Sequence, residues 1–83
     1  MHSGADIAQA IMTLISARGM GKTICPSEVA RHMSPSDWRP LMPQIREAAR
    51  SLQVQGRIRV TQAGQDVNPM HVHGPIRLGL PPS

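Results

Sequence analysis

Residues 41–64, LMPQIREAARSLQVQGRIRVTQAG, contain the change in hydrophobic period that decides the fold. Apolar residues first recur at spacings of three and four, which predicts a helix with one buried stripe. After the Gln55-Gly56 pair the period becomes two, because Ile58 and Val60 alternate with arginines, and this alternation predicts a strand. The stripe of the predicted helix consists of Leu41, Ile45, Ala48 and Leu52.

Two prolines lie at the start of this helix. Pro40 suits a first helical turn, whereas Pro43 lacks the amide hydrogen that a helix interior needs. We therefore expect a short turn or a kink first, with the main helix running from near Pro43 to about Val54. Before it, Ser34 or Ser36 is expected to accept hydrogen bonds from the free amides of the following turn.

The N-terminal part of the chain predicts two further helices and a short extended segment. Apolar residues at helical spacing over 6–18 predict helix one, with Ser3 and Asp6 in a capping arrangement before it. Residues 22–24 are expected to be extended, and Pro26 suits the first position of helix two. The inward-facing residues are expected to be Ile7, Ala10, Ile11, Leu14 and Ile15 in helix one, and Val29, Ala30 and Met33 in helix two.

A second strand is predicted over 75–80, where Ile76, Leu78 and Leu80 occupy alternate positions. It is expected to pair with the strand at 57–62 through a single long loop, Ala63 to Gly74. The resulting order α-β-α-α-β-β predicts the α+β class. It is the plan of a winged helix-turn-helix, with three helices, a small antiparallel sheet and the long loop as the wing.

Length and composition limit the architecture further. Eighty-three residues predict a single domain, 1–83, with a core over about 6–80 and a frayed tail at 81–83. Trp38 is the only aromatic residue besides histidine and is expected to cover a core of aliphatic side chains and methionines. The single cysteine and the lack of a signal sequence or a long apolar run predict a soluble, cytoplasmic protein.

The charge balance favours a nucleic-acid partner. Nine Lys and Arg against five Asp and Glu give a net charge of +4. Eight of the nine cations are arginines, and a guanidinium can donate two parallel hydrogen bonds to a phosphate or to guanine. The polar face of the main helix is expected to enter or border the major groove of double-stranded DNA, while the strands contact the DNA backbone. The predicted contact residues are Arg39, Arg46, Arg50 and Gln53 from the helix region, and Arg57, Arg59 and Arg77 from the hairpin.

A plainer interpretation of these residues stays open. Any surface helix keeps charged side chains outward, and Arg46 or Arg50 would then pair with Glu47 or Asp37. The predicted function is DNA binding by a transcriptional regulator, acting with a protein partner or as a homodimer. The alternative is a protein-protein adaptor module that uses the surface around Met42 and binds no nucleic acid. RNA is disfavoured because no aromatic side chains lie on a strand to stack bases.

No catalytic or metal chemistry is predicted. The GKT at 21–23 lacks the first glycine of a P-loop, since Ser16 stands in its place, and a helix precedes it. Only His71 and His73 are closely paired, whereas structural zinc sites need paired ligands at both ends. Cys25 has no recognisable partners of a nucleophile. We therefore expect no enzyme activity, catalytic residue, metal, cofactor, small-molecule substrate or membrane contact.

Three stretches resemble a known family: PSEVAR at 26–31, DWRPLMPQIREAARSLQVQGRIRVTQAGQDV at 37–67 and GPIRL at 74–78. They are similar to an uncharacterised bacterial family of small winged-helix proteins, classed as a domain of unknown function. The resemblance covers roughly residues 7–80. It implies a winged-helix fold and, by analogy of fold, a DNA-binding or regulatory role, but it implies no catalytic residue, substrate or cofactor.

Overall fold

A computed structural model of the chain describes residues 2–82 and contains three helices and four short strands within them. The prediction of the α+β class and of the element order is confirmed, with one strand, β3, in addition. Ser83, the end of the predicted tail, lies outside the described residues, as does Met1. The elements are α1 Gly4–Arg18, β1 Thr23–Ile24, α2 Pro26–Met33, a 3-10 turn Arg39–Leu41, α3 Met42–Val54, β2 Arg59–Gln62, β3 Gln65–Asp66 and β4 Arg77–Gly79.

The strands form one antiparallel sheet in the order β1-β4-β2-β3. In the central register Leu78 of β4 lies between Ile24 of β1 and Val60 of β2, and all three side chains are buried. The adjacent row has Gly79 between Thr23 and Arg59. Because side chains alternate along a strand, this second row lies on the opposite, outer face of the sheet.

The helices pack on the inner face of the sheet around an aliphatic core. The stripes predicted for α1 and α3 point into this core, and Ile11, Ile15 and Ile45 have no exposed surface. Trp38 is half-buried and packs against the core, as predicted for the single large ring. The core residues are Ile7, Ile11, Ile15, Ile24, Val29, Ala30, Ile45, Ala48, Ala49, Leu52, Ile58, Val60, Ile76 and Leu78.

The capping prediction is confirmed for α1 and wrong for α3. The Ser3 hydroxyl accepts a hydrogen bond from the Asp6 amide at 3.1 Å, and the Asp6 carboxylate accepts one from the Ser3 amide at 3.3 Å. Together the two bonds form a complete capping box. Neither Ser34 nor Ser36 caps α3. The 3-10 turn leads directly into α3, so the amides of its first turn face no loop side chain, and Pro43 occupies an early position where an amide is dispensable.

The predicted long loop folds in two parts. The Ala63-Gly64 pair forms a tight turn with φ angles of 51° and 82°, and β3 returns beside β2. Residues 67–76, which we name the connecting segment, then lead to β4. Thr61 of β2, which is paired with Arg77 of β4, is only 9% exposed.

Two observations concern membranes and metals. None of the helices within residues 2–82 is both long and apolar enough to span a bilayer. Over the same residues no three His, Cys, Asp or Glu side chains are grouped so as to hold a metal ion.

Candidate nucleic-acid interface

Arg46 of α3 is bonded to the connecting segment. Its Nη1 donates to the carbonyl oxygens of Pro69 at 2.9 Å and Val72 at 3.3 Å, and its Nη2 donates to that of Gly74 at 2.7 Å. The side chain is half-buried. Arg46, predicted to enter or border the major groove, is thus engaged within the chain, and its partners are backbone carbonyls rather than Glu47 or Asp37.

Gln53 and Arg50 continue the same contact toward the C-terminal end of α3. Arg50 Nη1 donates to Gln53 Oε1 at 2.9 Å, and Gln53 Nε2 donates to the Val67 carbonyl at 2.7 Å. Pro69, whose carbonyl accepts a hydrogen bond from Arg46, is fully buried and anchors the segment. Two of the four predicted helix residues, Arg46 and Gln53, thus hold the connecting segment in place, and Arg50 supports Gln53.

Arg39 lies in a different environment, at the turn before α3. Its guanidinium carbon is 4.6 Å from the centroid of the Trp38 ring, and that of Arg31, at the end of α2, is also at 4.6 Å. Both arginines are exposed, and neither forms an ion pair within residues 2–82. We name Arg31, Trp38 and Arg39 the arginine–tryptophan cluster. Arg31 was not among the predicted contact residues, because its position beside Trp38 depends on the turn between α2 and α3.

Arg59 and Arg77 share the outer face of the sheet, as predicted from their alternation. Arg59 Nε donates to Asp66 at 2.7 Å, in a pair whose side chains are 45% and 70% exposed. Arg77 Nε donates to the Thr23 hydroxyl at 2.8 Å and its Nη2 to the Thr23 carbonyl at 3.1 Å. Arg18, which also reaches that carbonyl at 3.0 Å, was not predicted here.

Arg57 does not join this face, so the prediction that it projects with Arg59 and Arg77 is wrong. Its amide donates to the Leu52 carbonyl at 2.9 Å, and the preceding Gly56 has a φ of 74°. This bond ends α3, and the residue lies before β2 begins. Its side chain lines a cleft between α1 and α3 with Gly4 and Glu47.

The cations thus occupy separate regions instead of one continuous ridge. Arg31 and Arg39 lie at the turn before α3, Arg59 and Arg77 lie on the sheet, and Arg57 lies by the α1–α3 cleft. Of these three regions, the first is the one in which two exposed guanidiniums lie together and neither has a carboxylate partner within residues 2–82. It is therefore the region best able to contact an external anion such as a backbone phosphate.

Comparison with known proteins identifies a family for this chain. Among curated proteins, no match to the chain was found. The model of a family described as "Protein of unknown function (DUF3253)" matches residues 4–81, from the first residue of α1 to beyond β4. The match agrees with the resemblance to a domain of unknown function found in the sequence. The chain therefore belongs to this family of proteins of unknown function, DUF3253.

Proposed function

We propose that the protein is a winged-helix protein that binds double-stranded DNA and serves in transcriptional regulation. The observation that carries this proposal is the arginine–tryptophan cluster, in which two exposed guanidiniums lie against Trp38, one from the end of α2 and one from the turn before α3. In helix-turn-helix proteins the N-terminal end of the second helix of the pair enters the major groove, between phosphates of the two strands. Here α2 and α3 form that pair, and Arg31 and Arg39 flank the turn that joins them.

Stacking on Trp38 suits these arginines to phosphate contact. A guanidinium that lies against a ring keeps its N–H donors at its edge, where they remain free to bond an oxyanion. The ring also restricts the side-chain rotamers before binding, so that less conformational entropy is lost when a phosphate is bound. The net charge of +4 adds a long-range attraction to DNA.

The other predicted contact residues differ in how closely they approach the DNA in this proposal. Arg50 is half-buried and borders the groove, whereas Arg46 and Gln53 hold the connecting segment. Arg59 and the turn after β2 form the wing. Glu47 is exposed on α3 and repels phosphate, which opposes deep insertion of the helix. We therefore expect binding that depends mainly on backbone contacts and varies little with base sequence.

A salt-dependent titration tests the proposal. The protein is titrated into a labelled random-sequence duplex at about 50 and about 200 mM salt, and the anisotropy gives the affinity. Each phosphate contact contributes about 0.9 to the slope of log affinity against log salt, so Arg31→Ala/Arg39→Ala should reduce the slope by nearly 2.

Arg57→Ala is the matched control, because it removes an exposed cation that lies outside the arginine–tryptophan cluster. It should change the slope less than either Arg31→Ala or Arg39→Ala. The proposal is wrong if the protein does not bind duplex at the lower salt, or if Arg57→Ala weakens binding as much as Arg39→Ala does.

A protein-protein adaptor without nucleic-acid binding is the second candidate function. The observation that favours it is the engagement of Arg46, Arg50 and Gln53 in internal hydrogen bonds, which removes most of the predicted reading face of α3. The same titration separates the two candidates. An adaptor should show no affinity for duplex at low salt, and the arginine–tryptophan cluster would then contact an acidic protein surface.

A further inference from the structure

A small cleft lies on the outer face of the sheet, away from the arginine–tryptophan cluster. Its volume is about 100 Å³, which suits a group of a few atoms rather than a whole nucleotide. Two of its residues are cations and two are threonines, so its lining is rich in hydrogen-bond donors. The lining residues are Gly21, Lys22, Thr23, Arg59, Thr61, Gly79 and Leu80.

The two threonine hydroxyls are able to donate into this cleft. Thr23 Oγ1 accepts the bond from Arg77 Nε at 2.8 Å, which leaves its own proton for a second partner. Thr61 is 9% exposed, and its hydroxyl has no hydrogen-bond partner within residues 2–82. Within residues 2–82, every side-chain oxygen that is fully buried has a hydrogen-bond partner. Because the Thr61 hydroxyl has none, it is accessible, and it is reached from the cleft that Thr61 lines.

The charges around the cleft are positive on balance. Lys22 is exposed and forms no ion pair within residues 2–82. Arg59 uses only its Nε on Asp66, so its terminal nitrogens keep their donors. The Thr23 carbonyl oxygen accepts hydrogen bonds from Arg18 Nη1 at 3.0 Å and from Arg77 Nη2 at 3.1 Å. Two cations thus line the cleft and two more are bonded to its Thr23, whereas Glu28 and Asp66 each pair with one of these four cations.

Gly79 keeps the base of the cleft open. It pairs with Thr23 on one side and Arg59 on the other, between the two edges of the cleft. A Cβ atom at this position would lie 3.0 Å from the Lys22 carbonyl oxygen and 3.2 Å from Thr23 Cγ2. Any larger residue would therefore push against β1 and fill the space between the threonine and arginine side chains.

We propose that this cleft binds one phosphate group, carried by a small phosphorylated molecule or by a nucleic-acid backbone. Two hydroxyl donors, an ammonium and a guanidinium match the several acceptor oxygens and the negative charge of a phosphate. The site shares Arg59 with the wing of the proposed function, but it contains no residue of the arginine–tryptophan cluster, on which that function mainly depends.

Titration with inorganic phosphate at constant ionic strength tests this site. Amide resonances of residues 21–23, 59–61 and 79 should shift and saturate, while matched additions of chloride should leave them in place. Lys22→Ala should weaken the affinity about tenfold, since a charge-assisted hydrogen bond is lost. Thr61→Val, which keeps the shape of the side chain, should weaken it about fivefold.

Arg57→Ala is the control for loss of one charge, and its phosphate affinity should stay within about twofold of the parent value. The same spectra report whether each variant is folded. The proposal is overturned if the shifts do not saturate, if chloride reproduces them, or if folded Thr61→Val and Lys22→Ala both bind phosphate as the parent does.

A competition experiment then identifies the source of the phosphate. If inorganic phosphate displaces a labelled duplex at constant ionic strength over the range that saturates the cleft, and Lys22→Ala shifts that range upward, the cleft binds a backbone phosphate. If it saturates the cleft without displacing duplex, the site binds a small phosphorylated molecule. Arg31→Ala/Arg39→Ala should leave the affinity for inorganic phosphate unchanged, so failure of the DNA-binding proposal and failure of this site give different results.

Discussion

At the scale of single residues, the bonding of Arg46 decides how the face of α3 is used. Its guanidinium bonds three backbone carbonyls of the connecting segment, at positions 23 to 28 residues further along the chain. The helical spacing of the sequence predicts that Arg46 lies outside the core, but it does not predict which groups contact the side chain. Backbone carbonyls have no signature in the sequence, so this contact could not be predicted from residue types.

Replacing Arg46 tests its structural role. Arg46→Ala leaves the Pro69 and Val72 carbonyls in a half-buried position without their donor, so the free energy of unfolding should fall by about 1–3 kcal/mol. Urea denaturation measures this change, and amide exchange should accelerate in the connecting segment. Arg57→Ala, at an exposed site, should cost less than about 0.5 kcal/mol. Equal stabilities of the two variants would contradict this role.

Two glycines provide a matched comparison of local space. A Cβ at Gly79 would meet the Lys22 carbonyl oxygen at 3.0 Å, whereas a Cβ at Gly4 has no atom within 4 Å. Gly79→Ala should therefore destabilise the protein by about 1–3 kcal/mol through strain between β1 and β4. Gly4→Ala, at the start of α1, should be neutral or stabilising by up to about 1 kcal/mol. Thermal unfolding of both variants checks the pair, and a reversed order would contradict the strand packing.

At the scale of elements, the accuracy of the sequence predictions followed the strength of the local signal. Helix α1 has a long apolar stripe and a capping box, and its prediction was within two residues of the observed start. Strand β3, Gln65–Asp66, was missed because two exposed polar residues show no period and pair only through the turn before them. The prediction that Ser34 or Ser36 caps α3 was wrong because a 3-10 turn continues directly into that helix.

The turn between β2 and β3 yields a prediction for this element. Both of its central residues have positive φ, and Ala63 at 51° is the only residue other than glycine in that region among those described. Asparagine tolerates this conformation and is favoured before glycine in such turns. Ala63→Asn should stabilise the protein by about 0.5 kcal/mol, whereas Ala63→Val should destabilise it by more than about 1 kcal/mol. Chemical denaturation gives both values. Greater stability of the valine variant would show that the turn has another geometry.

At the scale of the whole molecule, a small aliphatic core supports cationic groups in several separate places. The α+β class and the order of elements followed from the hydrophobic periods, since the core needs only apolar stripes of the right spacing. The distribution of charge did not follow, because it depends on which arginines the connecting segment and the sheet engage. Arg39 was predicted as a contact residue, but its stacking with Arg31 on Trp38 requires the folded turn.

Trp38 provides the most direct measurement of DNA binding by the arginine–tryptophan cluster. It is the only tryptophan in a chain without tyrosine, so intrinsic emission reports on this cluster alone. Titration with a short random-sequence duplex at low salt should change the Trp38 emission until saturation, and added salt should reverse the change. Emission that stays constant while anisotropy shows the duplex to be bound, or an absence of binding at low salt, would contradict the proposal.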